Sequence, residues 1–385
     1  MEDILPRIYN YVWDSYFWLP DGMSWKDLES KDPNTYYGRA KDIHWCVVVG
    51  LCFLVIRYVF EKVFVTPIAR WIGIKEGKRR VKPNTVLESA FLKYNIKLPE
   101  SVLKGLSKQT DLREQDVQKW MMIRRRQNNP TAMAKFCECS WHFVFYLAIF
   151  IYGCVILYNK EWMWDSKLFW KNWPQHVTND VYWYYLIEMG FYWSLVFSLF
   201  TDVKRKDFSE MVIHHFATLT LTYLSWVLCF TRVGSYILVL HDAADWWLAL
   251  AKLAKYSNHQ TVCEGAFTMF AVMWIVTRTG VYPYIPLASS IFELGIYIKP
   301  FMMHRVFICL LVLLQILHVM WTFFILRVCV QKLNSGQLQR DSRSDSDSIE
   351  TSEGEEEMNG HAPNHVNPEV AQVTRRSKRL ATSTS

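Results

Sequence analysis

Seven stretches of this chain are apolar over enough residues to cross a lipid bilayer, and nothing else in the sequence constrains the fold as tightly. A span needs roughly 20 predominantly apolar residues. The stretches fall at about 44–65, 141–158, 181–200, 211–230, 233–253, 262–285 and 305–329. The last is the clearest, running VFICLLVLLQILHVMWTFFIL after Arg305. Hydrocarbon offers no water to backbone amides, so apolar spans of this length form α-helices. The expected fold class is an all-α polytopic membrane protein with about seven transmembrane helices. The fourth and fifth stretches carry polar side chains and stand out least by hydropathy.

Average composition hides this segregation. Half of the 385 residues are hydrophobic, 16% are aromatic, and the net charge is +7. The nine Cys are scattered, and Cys52, Cys154, Cys229 and Cys309 lie inside apolar runs. Cys137 and Cys139 are too close for a C-x-x-C loop, so the cysteines read as small core residues rather than a disulfide framework or a zinc site.

Basic residues orient the spans. Residues 66–140 hold 16 Lys and Arg, and the short segment Thr201–Glu210 holds Lys204, Arg205 and Lys206. The loops at 159–180 and 286–304 hold three and one. The alternation places the N-terminus in the lumen and the C-terminus in the cytosol. No apolar signal-peptide core precedes residue 44, so the first stretch is expected to be an anchor. The only Asn-x-Ser/Thr arrangement, Asn129-Pro130-Thr131, carries the proline that forbids glycosylation.

These signals divide the chain into a lumenal segment (1–43), a first membrane helix (44–65), a cytosolic insert (66–128), a second helical region (132–335) and a polar tail (336–385). The tail includes SRSDSDSIETSEGEEE and a basic end, Arg375 to Arg379, and has the composition of a disordered segment. Ser342, Ser344 and Ser352 each have an acid three residues on, the pattern that acidophilic kinases prefer.

The insert reads as three short helices at roughly 84–94, 99–107 and 113–127. Val117, Trp120 and Met121 share a face of the last, which ends in Arg124, Arg125 and Arg126. The pattern is homeobox-like, but a homeodomain reads adenine with an Asn. The matching position, three residues after Trp120, is Ile123, which cannot hydrogen-bond a base. A packing or regulatory module is expected, with no DNA partner. The three arginines could also meet lipid or nucleotide phosphates.

Ionisable groups inside apolar spans are costly and mark functional sites. They concentrate in two segments. The fourth stretch opens with Glu210 and the pair His214-His215; the fifth carries His241, Asp242 and Asp245. Asp242 and Asp245 are three residues apart on a helix, and His241 and Asp245 four, so the acids are expected to point together into the bundle. His214 and His215 diverge by about 100°, so one is expected to face a cavity and the other to support it. Two histidines and two acids in a dry cavity suit acid–base or nucleophilic acyl transfer. The competing arrangement is a metal site. The H-x-x-H-H boxes of membrane di-iron enzymes are absent among the 11 His; a single ion held by His214, His215, His241 and an Asp is the remaining form, and no metal is expected. Glu188, Glu264 and Arg278 are candidates to line a tunnel or an interface, and Arg57 to pair or snorkel.

The run Asp202-Val-Lys-Arg-Lys-Asp-Phe208, the pair His214-His215, and Gly234 through His241-Asp242-x-x-Asp245 to Lys252 resemble the longevity-assurance motif of ceramide synthases. Arg124–Arg126 with Pro130, and Lys135 to Glu138, also match. The resemblance covers roughly 40–335 and implies a six-helix TLC-type bundle. It further implies acyl-coenzyme A and a sphingoid base as substrates, ceramide as product, no cofactor, and the endoplasmic reticulum membrane as location. Carried over by position, His214, His215, Asp242 and Asp245 are the catalytic set, with an Asp orienting an imidazole. His241, Lys204, Arg205, Lys206 and Arg278 are substrate-binding, membrane lipids are partners, and the loop at roughly 286–304 influences acyl length. Monomer and homo- or heterodimer stay open. The chain departs from the family at Ala249, where many members have Glu. The second reading is a non-catalytic TLC-type lipid-binding or translocon-associated protein, which would not need the paired His and Asp.

Overall fold

The computed structural model describes residues 7, 10–29, 32, 35–74, 76–77, 80–94, 98–128, 130–199 and 208–335. Lys204, Arg205, Lys206 and the tail serines lie outside them. Every regular element among the described residues is helical. The principal helices are α1 (Ala40–Ile72), α2 (Thr85–Tyr94), α3 (Glu100–Thr110), α4 (Glu114–Asn128), α5 (Ala132–Leu157), α6 (Asn179–Ser198), α7 (Phe208–Val227), α8 (Thr231–Tyr256), α9 (Gln260–Tyr297) and α10 (Met302–Ser335).

Four of them, α1, α5, α9 and α10, are long and apolar enough to cross a membrane. The other long helices, α6 to α8, carry most of the ionisable side chains described below, which lowers their hydropathy. α8 runs along α5 and α9, α6 along α1 and α7, and α10 along α7 and α9. Small residues let α1 and α6 approach closely, as apolar helices without a hydrophobic drive between them require. A Cβ on Gly50 would stand 2.8 Å from Trp193 Cβ and 2.9 Å from the Gly190 carbonyl oxygen. The core between α5 and α6 is aromatic: Phe145 stacks on Phe191 with ring centroids 3.5 Å apart.

Two helix ends explain how consecutive helices reverse. After α7, Cys229 takes φ 56°, and the Phe230 amide donates to the Ser225 carbonyl at 2.7 Å. After α8, Asn258 takes φ 58°, and the His259 amide donates to the Ala254 carbonyl at 2.8 Å. Asn tolerates this left-handed conformation well, and the bond is the six-to-one closure of a Schellman cap.

The end of α9 differs from the expectation of a loop from 286. The helix continues to Tyr297, leaving only Ile298 to Phe301 between α9 and α10. Pro283 and Pro286 lack the N–H that an α-helix needs. The chain carries them by widening into π-helical turns at Ile275–Val281, Pro283–Leu287 and Ser289–Glu293.

One end of the bundle is covered by the N-terminal segment and the α5–α6 connection. Trp13 stacks on Trp18 at 5.0 Å and meets Trp25 edge-on at 5.5 Å. The Tyr36 amide donates to His176 Nδ1 at 2.8 Å, and its carbonyl accepts from the Val177 amide at 2.8 Å. Trp226 Nε1 donates to the Arg39 carbonyl at 3.0 Å.

The insert forms its three helices where the sequence places them. Asn84 Oδ1 accepts from the Val86 and Leu87 amides and starts α2. Leu87, Phe91, Leu103, Leu106, Val117, Trp120 and Met121 pack together, and Trp120 Nε1 donates to the Lys82 carbonyl at 2.9 Å. Arg124 is bound inside this unit: its Nη2 and Nε donate to Glu88 at 2.6 and 2.8 Å, and its guanidinium lies over the Phe91 ring. The expectation that it could meet phosphates yields to this bidentate pairing. Arg57 pairs with Glu61 one turn on, at 2.8 Å.

Candidate active site

A cavity of about 220 Å³ lies among α5 to α10, opposite the covered end. Its walls include His214 and His215 from α7, Asp245 and Lys252 from α8, Arg278 from α9, and His318 and Trp321 from α10. Tyr146 from α5 and Tyr192 from α6 complete it. Six of the seven long helices therefore meet at one polar chamber.

The two histidines both line this chamber, which corrects the expectation that one stands behind the other. Their angular divergence is expressed as two walls. The His214 ring meets Trp321 edge-on at 5.3 Å, and His215 lies toward Tyr192 at 6.3 Å. His214 Nδ1 has no hydrogen-bond partner among the described residues.

The two acids separate instead of pointing together. Three residues of helix turn the side chain by about 300°, which leaves about 60° between the pair. Asp245 faces the chamber and forms an ion pair with Arg278 at 2.7 Å. Asp242 turns toward α6, is buried, and accepts from Tyr184 Oη at 3.1 Å. Glu188, one turn on from Tyr184 on α6, is buried as well. Both acids are thus engaged elsewhere than at His214, so the expected Asp-to-imidazole contact is not among the hydrogen bonds of this site.

His241 also stands one layer back. Its Nδ1 lies 2.7 Å from the Ile237 carbonyl and its Nε2 3.0 Å from His318 Nε2. It lines a small adjoining apolar pocket of about 30 Å³ with Leu238, Phe307, Leu311 and Leu314. Arg278 holds this wall together: its Nη2 donates to the His241 carbonyl at 2.8 Å and to Asp245, and its guanidinium sits 4.1 Å over the Trp274 ring. Desolvating a guanidinium is costly, and an ion pair, a carbonyl and a π face compensate here.

Ala249 lies on the chamber wall, so a Glu at that position would add a carboxylate to the chamber. Glu264 is outside it, bridged to Lys332 at 3.4 Å at the ends of α9 and α10. Leu199 and Phe208, which flank the undescribed Lys204–Lys206 run, both line the chamber. Among the described residues, no three His, Cys, Asp or Glu side chains converge as a metal site.

Sequence reasoning missed His318. It sits in the last apolar stretch, and the rule that flagged the other intramembrane groups applied to it as well. Tyr184 and Tyr192 gave no signal, because an aromatic in an apolar helix reads as packing.

Comparison with known proteins bears on the same region. The TLC domain model matches residues 135–327, which contain every described residue of the chamber. Ceramide synthase 5 of Homo sapiens is 38% identical over 92% of this chain and 90% of its own length. Ceramide synthase 4 of Mus musculus is 38% identical over 91% of both chains, and ceramide synthase 3 of Mus musculus 37% identical over 88% of both. Similarity of this extent includes α1 and the insert as well as the bundle, and the chain belongs to the ceramide synthase family.

Proposed function

We propose that this protein is an acyltransferase of the ceramide synthase type, moving a fatty acyl group from acyl-coenzyme A to the amine of a sphingoid base. The observation that carries the reading is the chamber itself: two adjacent histidines and an Asp–Arg pair on facing walls, bounded by Trp, Tyr and Leu side chains. A thioester and an amine both react best away from bulk water.

His214 is the nucleophile in this reading. Among the described residues its Nδ1 has no hydrogen-bond partner, carboxylate or other. Its imidazole attacks the thioester carbonyl, the C–S bond breaks, and the coenzyme A sulfur leaves with the imidazole proton. The neutral amine then attacks the acyl-imidazole, the amide forms, and the imidazole is restored. The proton that the ammonium loses beforehand passes to His215 or Asp245, the basic groups nearest the reacting atoms. Arg278 fixes Asp245 and the α8–α9 wall.

The membrane arrangement that suits this chemistry has α1 and α5 to α10 as seven spans in the endoplasmic reticulum, with the N-terminus lumenal. Acyl-coenzyme A is water-soluble and anionic, so it enters from the cytosolic end, where the insert lies and where Lys204, Arg205 and Lys206 supply positive charge for its phosphates. The homeobox-like insert serves as a packing module. Neither a metal nor a cofactor takes part. Purified protein in detergent, given sphinganine and a series of acyl-coenzyme A chain lengths, is expected to form the corresponding amide with at least one. Failure with all of them would reject the acyltransferase reading in favour of a lipid-binding role.

A further inference from the structure

The wall between α9 and α10 holds two buried polar atoms that the acyl-transfer steps do not use. Arg278 is 3% exposed and His318 is 1% exposed, and both line the chamber. Arg278 Nη1 and His318 Nδ1 have no hydrogen-bond partner among the described residues. Leaving a buried donor or acceptor unmatched is costly, so a partner from the substrate is the natural complement.

The hydrogen-bond chain behind them sets what each atom offers. A carbonyl only accepts, so in the neutral ring His241 Nδ1 carries the proton toward Ile237, 2.7 Å away. His241 Nε2 is then an acceptor, and the His318 Nε2 facing it at 3.0 Å must be the donor. That tautomer leaves His318 Nδ1 as an acceptor. Arg278 Nη1 can only donate. The wall therefore holds one unmatched acceptor and one unmatched donor.

We propose that Arg278 and His318 recognise a hydroxyl group of the sphingoid base beside its amine; this rests on the acyltransferase reading above. A hydroxyl donates one hydrogen bond and accepts another, which matches the pair. An ammonium offers only donors and a thioester carbonyl only acceptors, and a neutral amine must keep its lone pair for attack. The sphingoid base is a 2-amino-1,3-diol, so either flanking hydroxyl is within reach of a wall beside the reacting nitrogen. Recognition by paired buried groups discriminates strongly, because the analogue without the hydroxyl leaves both unsatisfied.

The test compares kcat/KM for sphinganine with that for its two analogues lacking the 1-hydroxyl or the 3-hydroxyl, using one acyl-coenzyme A and the full-length protein in detergent. Wild type is expected to disfavour one analogue by about tenfold or more. The His318→Phe variant is expected to close most of that gap by losing activity toward sphinganine, not by gaining it toward the analogue. His318→Asn, which keeps an acceptor near the Nδ1 position, is expected to retain part of it. A ratio taken within one preparation is independent of the fraction folded. Wild-type rates within about twofold for all three amines would overturn the assignment, as would an undiminished gap in both His318→Phe and Arg278→Met. If wild type acylates none of the three, the acyltransferase reading fails first and this inference with it.

Discussion

Arg278 ties α8 to α9 with one guanidinium, bonding Asp245, the His241 carbonyl and the Trp274 face. Removing one partner of a buried ion pair strands the other, at about 3–5 kcal/mol. Asp245→Asn strands the Arg278 guanidinium, whose side chain is 4% exposed, and is therefore expected to lower the stability of the protein by that order, read as an earlier thermal unfolding midpoint in detergent. Through this pair Arg278→Met is expected to cost less, because the Asp245 carboxylate it strands keeps 23% exposure toward the chamber. Most of this site is legible in the sequence. His214, His215, Asp242 and Asp245 are ionisable groups in otherwise apolar runs, and solvation energy alone makes such residues conspicuous. What is not legible there is direction. The 60° between Asp242 and Asp245 sends one to α9 and the other to α6, and only the neighbouring helices determine which. His318 escapes notice because its partner, His241, lies 77 residues away, and a single His among Leu, Ile and Val reads as a satisfied core residue.

At the scale of elements, the insert is the most legible part. Asn84, the acids opening α4 and the apolar face around Trp120 are local signals, and the helices begin and end within a few residues of where those signals put them. The continuation of α9 through Pro283 and Pro286 is not legible, since proline normally ends a helix and the π-helical accommodation depends on packing against α8 and α10. The insert also carries a pH-dependent link. The hydrogen bond from Arg124 holds the Glu88 carboxyl below the usual carboxylate range. Its folded-state pKa is thus lower than in the unfolded chain, so the stabilisation is complete above the ordinary Glu value and fades as pH falls through the folded value. Amide protection factors in α2 and α4, followed by hydrogen exchange, are expected to fall on acidification through the carboxylate range. In Glu88→Gln they should start lower at neutral pH and show a flatter decline; an unchanged slope would mean that the Glu88–Arg124 pair does not link α2 to α4 in solution.

For the whole molecule, the segregation of sequence becomes a division of labour. α1, α9 and α10 present apolar faces, with Leu51, Val55, Val59, Val276, Ile316 and Phe323 exposed, while α6, α7 and α8 turn their polar groups inward. Aromatic packing and the N-terminal segment cover one end, and the chamber occupies the other half of the bundle. This polarity suits the proposed joining of a water-soluble thioester to a lipid amine: α7 and α8, of lower hydropathy, bring His214, His215 and Asp245 to the chamber, and α9 and α10 add Arg278 and His318. In the mechanism we propose the chemistry turns on His214, and the most direct measurement is intact-protein mass spectrometry after mixing purified protein with one acyl-coenzyme A and no base. Wild type is predicted to gain the mass of one acyl chain, to lose it on adding sphinganine, and His214→Ala is predicted to gain nothing. Absence of the adduct while amide still forms once base is added, or an adduct that persists in His214→Ala, would contradict acyl transfer through this histidine.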